Sequence, residues 1–376
     1  MIPYPPRIAL VHDWLVGMRG GERVLEVLCE LFPGADLFTL VHRPGSVSPV
    51  IEQRTIHPSV IQHLPMGVSR YQYYLPLFPM AVEMMDLKNY DLVVSSSSSA
   101  AKAVVVGKDA LHVCYCHTPM RYLWDQYDQY FGKGRSSFAV RTVMHAVRGY
   151  LRRWDVASSQ RVHHFIANSR FVQERIRRIY GRDSEVIYPP VDVGRFSVSR
   201  DDDGYFLIVS ALVPYKRIDL AVQAFNARRE RLVIVGSGGE ARKLKAMAGP
   251  TIEFLGPLSD DLVRQHYERC KGVVFPGEED FGIVPVEAMA CGKPVIAFGH
   301  GGVCETVVDP TTGIFFREQS STSLEQAVER FHRTEFLPDR IRAHVEQFRK
   351  DVFRSGIGTS LRTKWEFHTA RKGNHP

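Results

Sequence analysis

No apolar run in this 376-residue sequence approaches the ~18 residues that a membrane-spanning helix needs. The nearest, Leu75 to Met85, is broken by Pro76, Pro79 and Glu83. A bilayer-crossing helix is therefore not expected. The opening Met1-Ile2-Pro3-Tyr4-Pro5-Pro6-Arg7 has neither the basic nor the apolar region of a secretory leader, so a cytoplasmic location is expected. Cysteine is scarce as well: there are six, with no C-x-x-C pair, and Cys29, Cys270, Cys291 and Cys304 stand singly in apolar stretches. That pattern reads as reduced, buried thiols and not as a disulfide framework. What is present is ordinary for a globular chain: 44% apolar, 24% charged and a formal charge of +7 exclude disordered, collagen-like and coiled-coil classes. The length suggests two domains, each large enough to bury a core without staples.

The segment His112-Val113-Cys114-Tyr115-Cys116-His117 has two readings. On a strand, the period of two puts His112, Cys114 and Cys116 on one face, as a metal site would require. Three donors on one strand are too linear for a tetrahedron without a fourth from elsewhere, so no metal is expected. Charge is unevenly spread, because residues 133–182 hold 12 Lys/Arg against only Asp155 and Glu174. A solvated helical face is one explanation. The other is a surface for anionic lipid or a lipid-borne diphosphate, since Tyr150, Leu151, Trp154 and Phe165 lie among the arginines. No helix-turn-helix, zinc-finger or RNA-recognition pattern appears, so nucleic acid is not expected as a partner.

Short apolar runs alternate with helix-length amphipathic segments, the signature of an α/β protein with parallel, doubly wound sheets. In the first half the spacing predicts strands at Ile8 to Val11, Asp36 to Leu40, Leu92 to Ser95, Val113 to Cys116 and His164 to Ala167. Helices are expected at Glu22 to Leu31, Arg141 to Trp154 and Phe171 to Tyr180. The polar run Ser197 to Gly204 reads as a linker. After it come strands at Phe206 to Ser210, Leu232 to Val235, Ile252 to Leu255, Gly272 to Phe275 and Val295 to Ala297, with helices starting near Ile218, Glu240, Asp260 and Val284. The expected division is 1–196, 197–350 and a helical tail, 351–376, lying back on the first domain. Parallel sheets bind ligands at the carboxyl ends of their strands, so two such sheets are expected to face across a ligand-binding cleft.

Three segments sit at such strand exits. Gly17-Met18-Arg19-Gly20-Gly21-Glu22 is not G-x-G-x-x-G, so the dinucleotide fingerprint fails, yet its paired glycines let backbone N–H groups approach an anionic oxygen. Lys216-Arg217 ends Ala211-Leu212-Val213-Pro214-Tyr215-Lys216-Arg217; two adjacent cations suit a nucleotide diphosphate, and a plain surface pair is the alternative. In the third, Glu279 and Glu287 stand eight apart, the first in a loop and the second in the first turns of a helix. Between them Phe281, Gly282 and Ile283 present amides at that helix's positive end, while Glu287 is open to the simpler reading of a helix-end charge.

At this third segment the chain resembles the family 4 retaining glycosyltransferases of GT-B fold. The E-x7-E pattern of that family is matched by Glu279 and Glu287 within Glu-Asp-Phe-Gly and Glu-Ala-Met-Ala-Cys-Gly-Lys-Pro-Val. His12-Asp13-Trp14, Cys116-His117-Thr118-Pro119, Ala167-Asn168-Ser169-Arg170 and Tyr188-Pro189-Pro190-Val191-Asp192 agree. Within the family the chain resembles bacterial mannosyltransferases that build O-antigen and exopolysaccharide. The resemblance implies Glu279 on donor-sugar hydroxyls, Glu287 on the ribose and Lys216 on the diphosphate. It also implies donor contacts by Gly20, Gly21, Gly236, Phe281, Gly282 and Ile283, His117 beside the reacting sugar, and acceptor contacts by Asp13, Trp14 and Arg19. The family's usual arginine before the lysine is replaced by Ala211, and Arg217 is the candidate to supply its charge.

The implied activity is metal-independent transfer of a hexose, mannose from GDP-mannose first, to a polyprenyl-diphosphate-linked saccharide at the inner membrane face, without a cofactor. Asp201-Asp202-Asp203 fits D-x-D but precedes a strand, so it reads as solvated loop. A UDP-sugar donor, a nucleotide-sugar epimerase of the same fold and a non-catalytic glycan-binding scaffold are the alternatives. The stretch Tyr71, Tyr73, Tyr74, Leu75, Leu77, Phe78 and Met80 reads either as core or as a lipid-facing patch.

Overall fold

Every strand pairing among the described residues is parallel, as expected of runs of Val, Ile and Leu without polar alternation when helices cover both faces. The computed structural model describes residues 5, 7–132 and 137–373. Residues 1–4 and 6, within the segment read for a leader, and 133–136, at the head of the cationic stretch, lie outside the described residues. Two units form: 1–190 with 351–376, and 191–350.

Among the described residues the first unit contains seven strands: β1 (Ile8–His12), β2 (Asp36–Thr39), β3 (Ile56–Pro58), β4 (Leu92–Ser97), β5 (Leu111–Cys116), β6 (His164–Ala167) and β7 (Ser184–Val186). Their order is β3-β2-β1-β4-β5-β6-β7, so the chain reverses direction across the sheet between β1 and β4. Helix α1 (Gly20–Leu31) lays Val24, Leu25 and Leu28 against Leu10, Leu37 and Val94. Helix α2 (Phe138–Ser159) starts at Ser137, whose hydroxyl accepts from Val140 N. Helix α3 (Arg170–Tyr180) is capped in the same way by Ser169 and ends at Gly181, which takes the left-handed φ of 65°. The C-terminal helix α4 (Lys350–Gly373) places Phe353, Ile357 and Leu361 in the same cluster as α1.

The second unit contains β8 (Phe206–Val209), β9 (Leu232–Val235), β10 (Ile252–Gly256), β11 (Gly272–Phe275), β12 (Val295–Phe298) and β13 (Gly313–Phe316). Their order, β10-β9-β8-β11-β12-β13, reverses between β8 and β11. The fold class expected from the alternating pattern is thus present, twice. Among the described residues no helix is long and apolar enough to cross a membrane.

The cationic stretch resolves into an amphipathic helix with a charge inside. Asp155 of α2 is fully buried and pairs with the equally buried Lys102 at 2.6 Å. Asp155 also accepts from Trp124 Nε1 at 2.8 Å and from the Tyr180 hydroxyl at 3.1 Å. Lys102 Nζ lies 5.5 Å and 5.2 Å from the ring centroids of Trp154 and Tyr180. Removing one partner of such a pair strands the other charge in the core. Lys102→Met should lower unfolding free energy by about 3–5 kcal/mol in urea denaturation; an unchanged midpoint would show that Asp155 does not need this cation.

Candidate active site

In an open parallel sheet the loops diverge where strand order reverses, leaving a crevice at the carboxyl ends of the two strands. Each sheet has one such place, and the chemistry-bearing residues gather there. In the second unit Lys216 follows β8 and Glu279 follows β11, and the two side chains form an ion pair. They are 18% and 17% exposed, screened from bulk water but open to a ligand. Lys216 Nζ also stands 5.6 Å from the Tyr215 ring centroid and 5.8 Å from that of Phe275.

Glycines make this approach possible. A Cβ on Gly277 would lie 2.9 Å from Lys216 Cα, and one on Gly236, at φ 131°, would lie 1.9 Å from the Ser210 carbonyl oxygen. The loop carrying Glu279 is pinned from β12: Gly302 N donates to the Glu279 carbonyl at 2.8 Å. Gly282, at φ 93°, turns that loop into helix α5 (Ile283–Ala290). Phe281 is buried, with its ring 5.4 Å from Phe348. One turn into α5, the Glu287 carboxylate accepts from the Tyr267 hydroxyl at 3.1 Å. Burial and the Glu287 charge together push that phenol well above its ordinary pKa, so it remains a donor.

Arg217 lies beside this pair with its guanidinium already engaged. Nε is 3.2 Å from Asp219 Oδ1 and Nη1 is 3.3 Å from Gln319 Oε1. Arg217 adopts φ 50°, ψ 37°, a conformation costly for a residue with a side chain. The Asp201-Asp202-Asp203 run precedes β8: Asp203 is bound by Arg269 at 2.6 Å and 3.0 Å, and Asp202 caps Gly204 N. Among the described residues no three His, Cys, Asp or Glu side chains are grouped to hold a metal ion.

In the first unit the reversal brings together the ends of β1 and β4. His12 closes β1, Ser96 lies on β4 and His117 follows β5. Ser96 Oγ is 3.1 Å from His12 Nδ1 and 2.8 Å from His117 Nε2. His12 Nε2 is 3.4 Å from Glu22 Oε1, and the other Glu22 oxygen accepts from Arg19 N at 2.9 Å. A Cβ on Gly21 would stand 3.4 Å from His12 and 3.5 Å from His117, so Gly20-Gly21 opens α1 directly over both imidazoles. Burial raises the Glu22 carboxyl, but the hydrogen bonds from His12 and the Arg19 amide oppose it, and the pKa stays below its usual value. Burial lowers His117 to about 3.

Asp13, Trp14 and Arg19 lie around Tyr71, whose phenol feels the Arg19 and Asp13 charges and whose ring packs on Trp14. Asp13 is buried, and its two oxygens accept from Ser98 N, Ser99 N and Ala101 N at 2.6–2.9 Å, which fixes the loop after β4. Trp14 packs 5.1 Å from Tyr71, and Arg19 is exposed at the start of α1. Sequence reasoning quoted His12 and Glu22 within motifs but gave no role to them, to Ser96 or to Tyr267. The available signals were the glutamate three residues into α1, as in a capping box, and the serine tract Ser95 to Ser99 at a strand exit.

Two parallel-sheet units, each with ionic and amide groups at its switch point, have the GT-B architecture. The family described as Glycosyltransferase Family 4 matches residues 18–195, and that described as Glycosyl transferases group 1 matches 194–348. The chain belongs to these family 4 glycosyltransferases. It is 30% identical over 151 residues to the O-antigen chain mannosyltransferase RfbU of Salmonella typhimurium, covering 37% of this chain and 43% of that one. It is 24% identical to the mouse alpha-1,3/1,6-mannosyltransferase ALG2, over 65% of each. Anabaena HepE in complex with UDP and glucose superposes with a TM-score of 0.70 at 22% identity, over 94% of this chain and 98% of that one. The chain spans about half the length of the first curated relatives it matches.

The buried histidines make the fold acid-labile. Burial, then the His163 charge, brings His112 to about 3, beside His117 at the same value. Unfolded, each regains an ordinary pKa near ~6.5 and takes up a proton that the fold refuses, so stability is intact above pH ~6.5 and falls as pH drops toward ~3. Each should cost about 2 kcal/mol at pH 5. Urea midpoints at pH 7 and pH 5 check this; equal stability at both would contradict it.

Proposed function

We propose that the protein transfers a hexosyl group, with retention of anomeric configuration, from a nucleotide sugar to a polyprenyl-diphosphate-linked saccharide at the inner face of the plasma membrane. The observation that carries this reading is the Lys216–Glu279 pair at the β8/β11 reversal. It sets a cation for the departing diphosphate next to a carboxylate that accepts hydrogen bonds from sugar hydroxyls. The amides at Phe281, Gly282 and Ile283 add positive potential at the start of α5, with no divalent ion required. Glu287 binds the ribose, Gly236 admits the backbone turn under the phosphates, and Arg217 exchanges part of its Asp219 contact for phosphate. From the first unit, Gly20 and Gly21 approach the phosphates and His117 stands beside the sugar. The leaving phosphate oxygen takes the acceptor hydroxyl proton as the new glycosidic bond forms on the same face.

GDP-mannose is the preferred donor on the likeness to the two mannosyltransferases. A UDP-sugar is the second reading, favoured by the likeness to HepE, whose complexes hold UDP and UDP-glucose. A thermal-shift panel of GDP, UDP, GDP-mannose and UDP-glucose separates them, because a bound ligand raises stability by mass action. Lys216→Met should weaken the preferred nucleotide about ten- to hundred-fold, the worth of a charged hydrogen bond. Glu279→Gln should depress turnover while leaving the sugar-free nucleotide bound. Unaltered turnover and affinity in both variants would defeat the reading.

The membrane part rests on exposed apolar side chains next to cations. In the Tyr71–Met80 stretch one face, Tyr71, Leu75 and Phe78, is buried, whereas Tyr73, Leu77 and Met80 are exposed. Phe138, Val143 and Tyr150 of α2 are exposed as well, alongside Arg153. Vesicles containing phosphatidylglycerol should bind the protein at about 10 mM salt and release it at about 500 mM. Replacing Phe138 and Arg153 with Glu should reduce that binding; a protein indifferent to such vesicles at low salt would contradict it.

A further inference from the structure

Four side chains of the first unit, Glu22, His12, Ser96 and His117, form one hydrogen-bonded row that no sequence motif brings together. Glu22, His12 and Ser96 are each at least nine-tenths buried, and His117, at the open end, is only partly so. We infer that His12 is neutral and that Glu22, His12 and Ser96 act as positioning residues that fix the tautomer of His117, leaving its Nδ1 unprotonated as an acceptor for a sugar hydroxyl. The inference rests on the reading of His117 as the residue beside the sugar, and deepens it by giving the ring a direction.

Each group in the row has a fixed number of hydrogens to give. An ionised carboxylate can only accept, so His12 Nε2, facing Glu22 Oε1, carries the hydrogen. Neutral His12 then offers Nδ1 as acceptor, and the single hydroxyl hydrogen of Ser96 points to it. The Ser96 oxygen is left to accept, and its remaining neighbour, His117 Nε2 at 2.8 Å, must be the donor. A neutral imidazole has one N–H, so Nδ1 of His117 bears the lone pair. That atom has no partner among the described residues. The depressed His117 pKa agrees with a ring that stays neutral.

The row can be inverted by one isosteric change. The second Glu22 oxygen accepts from Arg19 N at 2.9 Å. In Glu22→Gln the amide oxygen is therefore required there, and the NH2 falls on His12 Nε2. That nitrogen becomes the acceptor, His12 Nδ1 donates to Ser96, Ser96 donates to His117 Nε2, and the hydrogen of His117 moves to Nδ1. A sugar-facing acceptor becomes a donor.

Full-length protein with 15N-labelled histidine, assigned with His117→Gln, reports the tautomer directly through long-range 1H–15N correlations. Wild type should show His117 protonated at Nε2, and Glu22→Gln should show it protonated at Nδ1 at unchanged thermal midpoint. Ser96→Ala should abolish the effect of Glu22→Gln in the double variant. Hydrolysis of whichever of GDP-mannose or UDP-glucose the enzyme consumes should fall at least about tenfold in kcat in Glu22→Gln, with KM little changed. Finding His117 protonated at Nδ1 in wild type, or no change in Glu22→Gln, overturns the relay. If the tautomers behave as stated but His117→Ala keeps full turnover, the relay stands and the placement of His117 beside the sugar fails.

Discussion

A parallel sheet cannot connect neighbouring strands by hairpins; each connection must cross one face, and where the chain changes the direction of its winding the two flanking loops part. That constraint operates once in each unit, between β1 and β4 and between β8 and β11. The Lys216–Glu279 pair and the His12–Ser96 contact sit at these two places. Lys216 and Glu279 are separated by 63 positions in the chain yet form an ion pair because they leave adjacent strands at the same end. The glycines nearby serve this approach: at Gly277 and Gly302 a side chain would collide with the backbone that carries Lys216 or Asp280.

The two switch points differ in electrical character. In the second unit a cation and a carboxylate are both partly open, and each can trade its partner for a ligand group at modest cost because neither is stranded in the core. In the first unit the charge is enclosed: Glu22 lies at the buried end of a row of donors and acceptors, and only His117 at the other end has exposure. The first arrangement suits binding of a polyanion, and the second suits orientation of a neutral hydroxyl. Lys102 and Asp155 make a third case, a pair fully enclosed and held by aromatic rings, which joins α2 to the helical turn Ala101–Ala103 after β4.

The sheet strands that are continuous apolar runs were legible in the sequence, as were the helix starts at Ile218 and Asp260. Those that were not, β3, β7 and β13, have a physical reason. Ile56–Pro58 and Ser184–Val186 are three-residue edge strands with polar or proline content, and Gly313–Phe316 begins at a glycine pressed against the Val295 carbonyl. The E-x7-E segment and Lys216 were readable because loop, helix start and charge are local in sequence. The row from Glu22 to His117 was not, since His12 and Ser96 lie 84 positions apart and meet only through pairing of β1 with β4. Asp13 illustrates the converse: a carboxylate at a strand exit invites a ligand-binding reading, but backbone amides of the loop after β4 occupy it.

The account stands or falls on where a nucleotide sugar rests. A crystal grown with the donor that gives the largest thermal shift should show its diphosphate within hydrogen-bond reach of Lys216 Nζ and the hexose hydroxyls on the Glu279 carboxylate. Density for the nucleotide elsewhere, with the Lys216–Glu279 pair untouched, would contradict it.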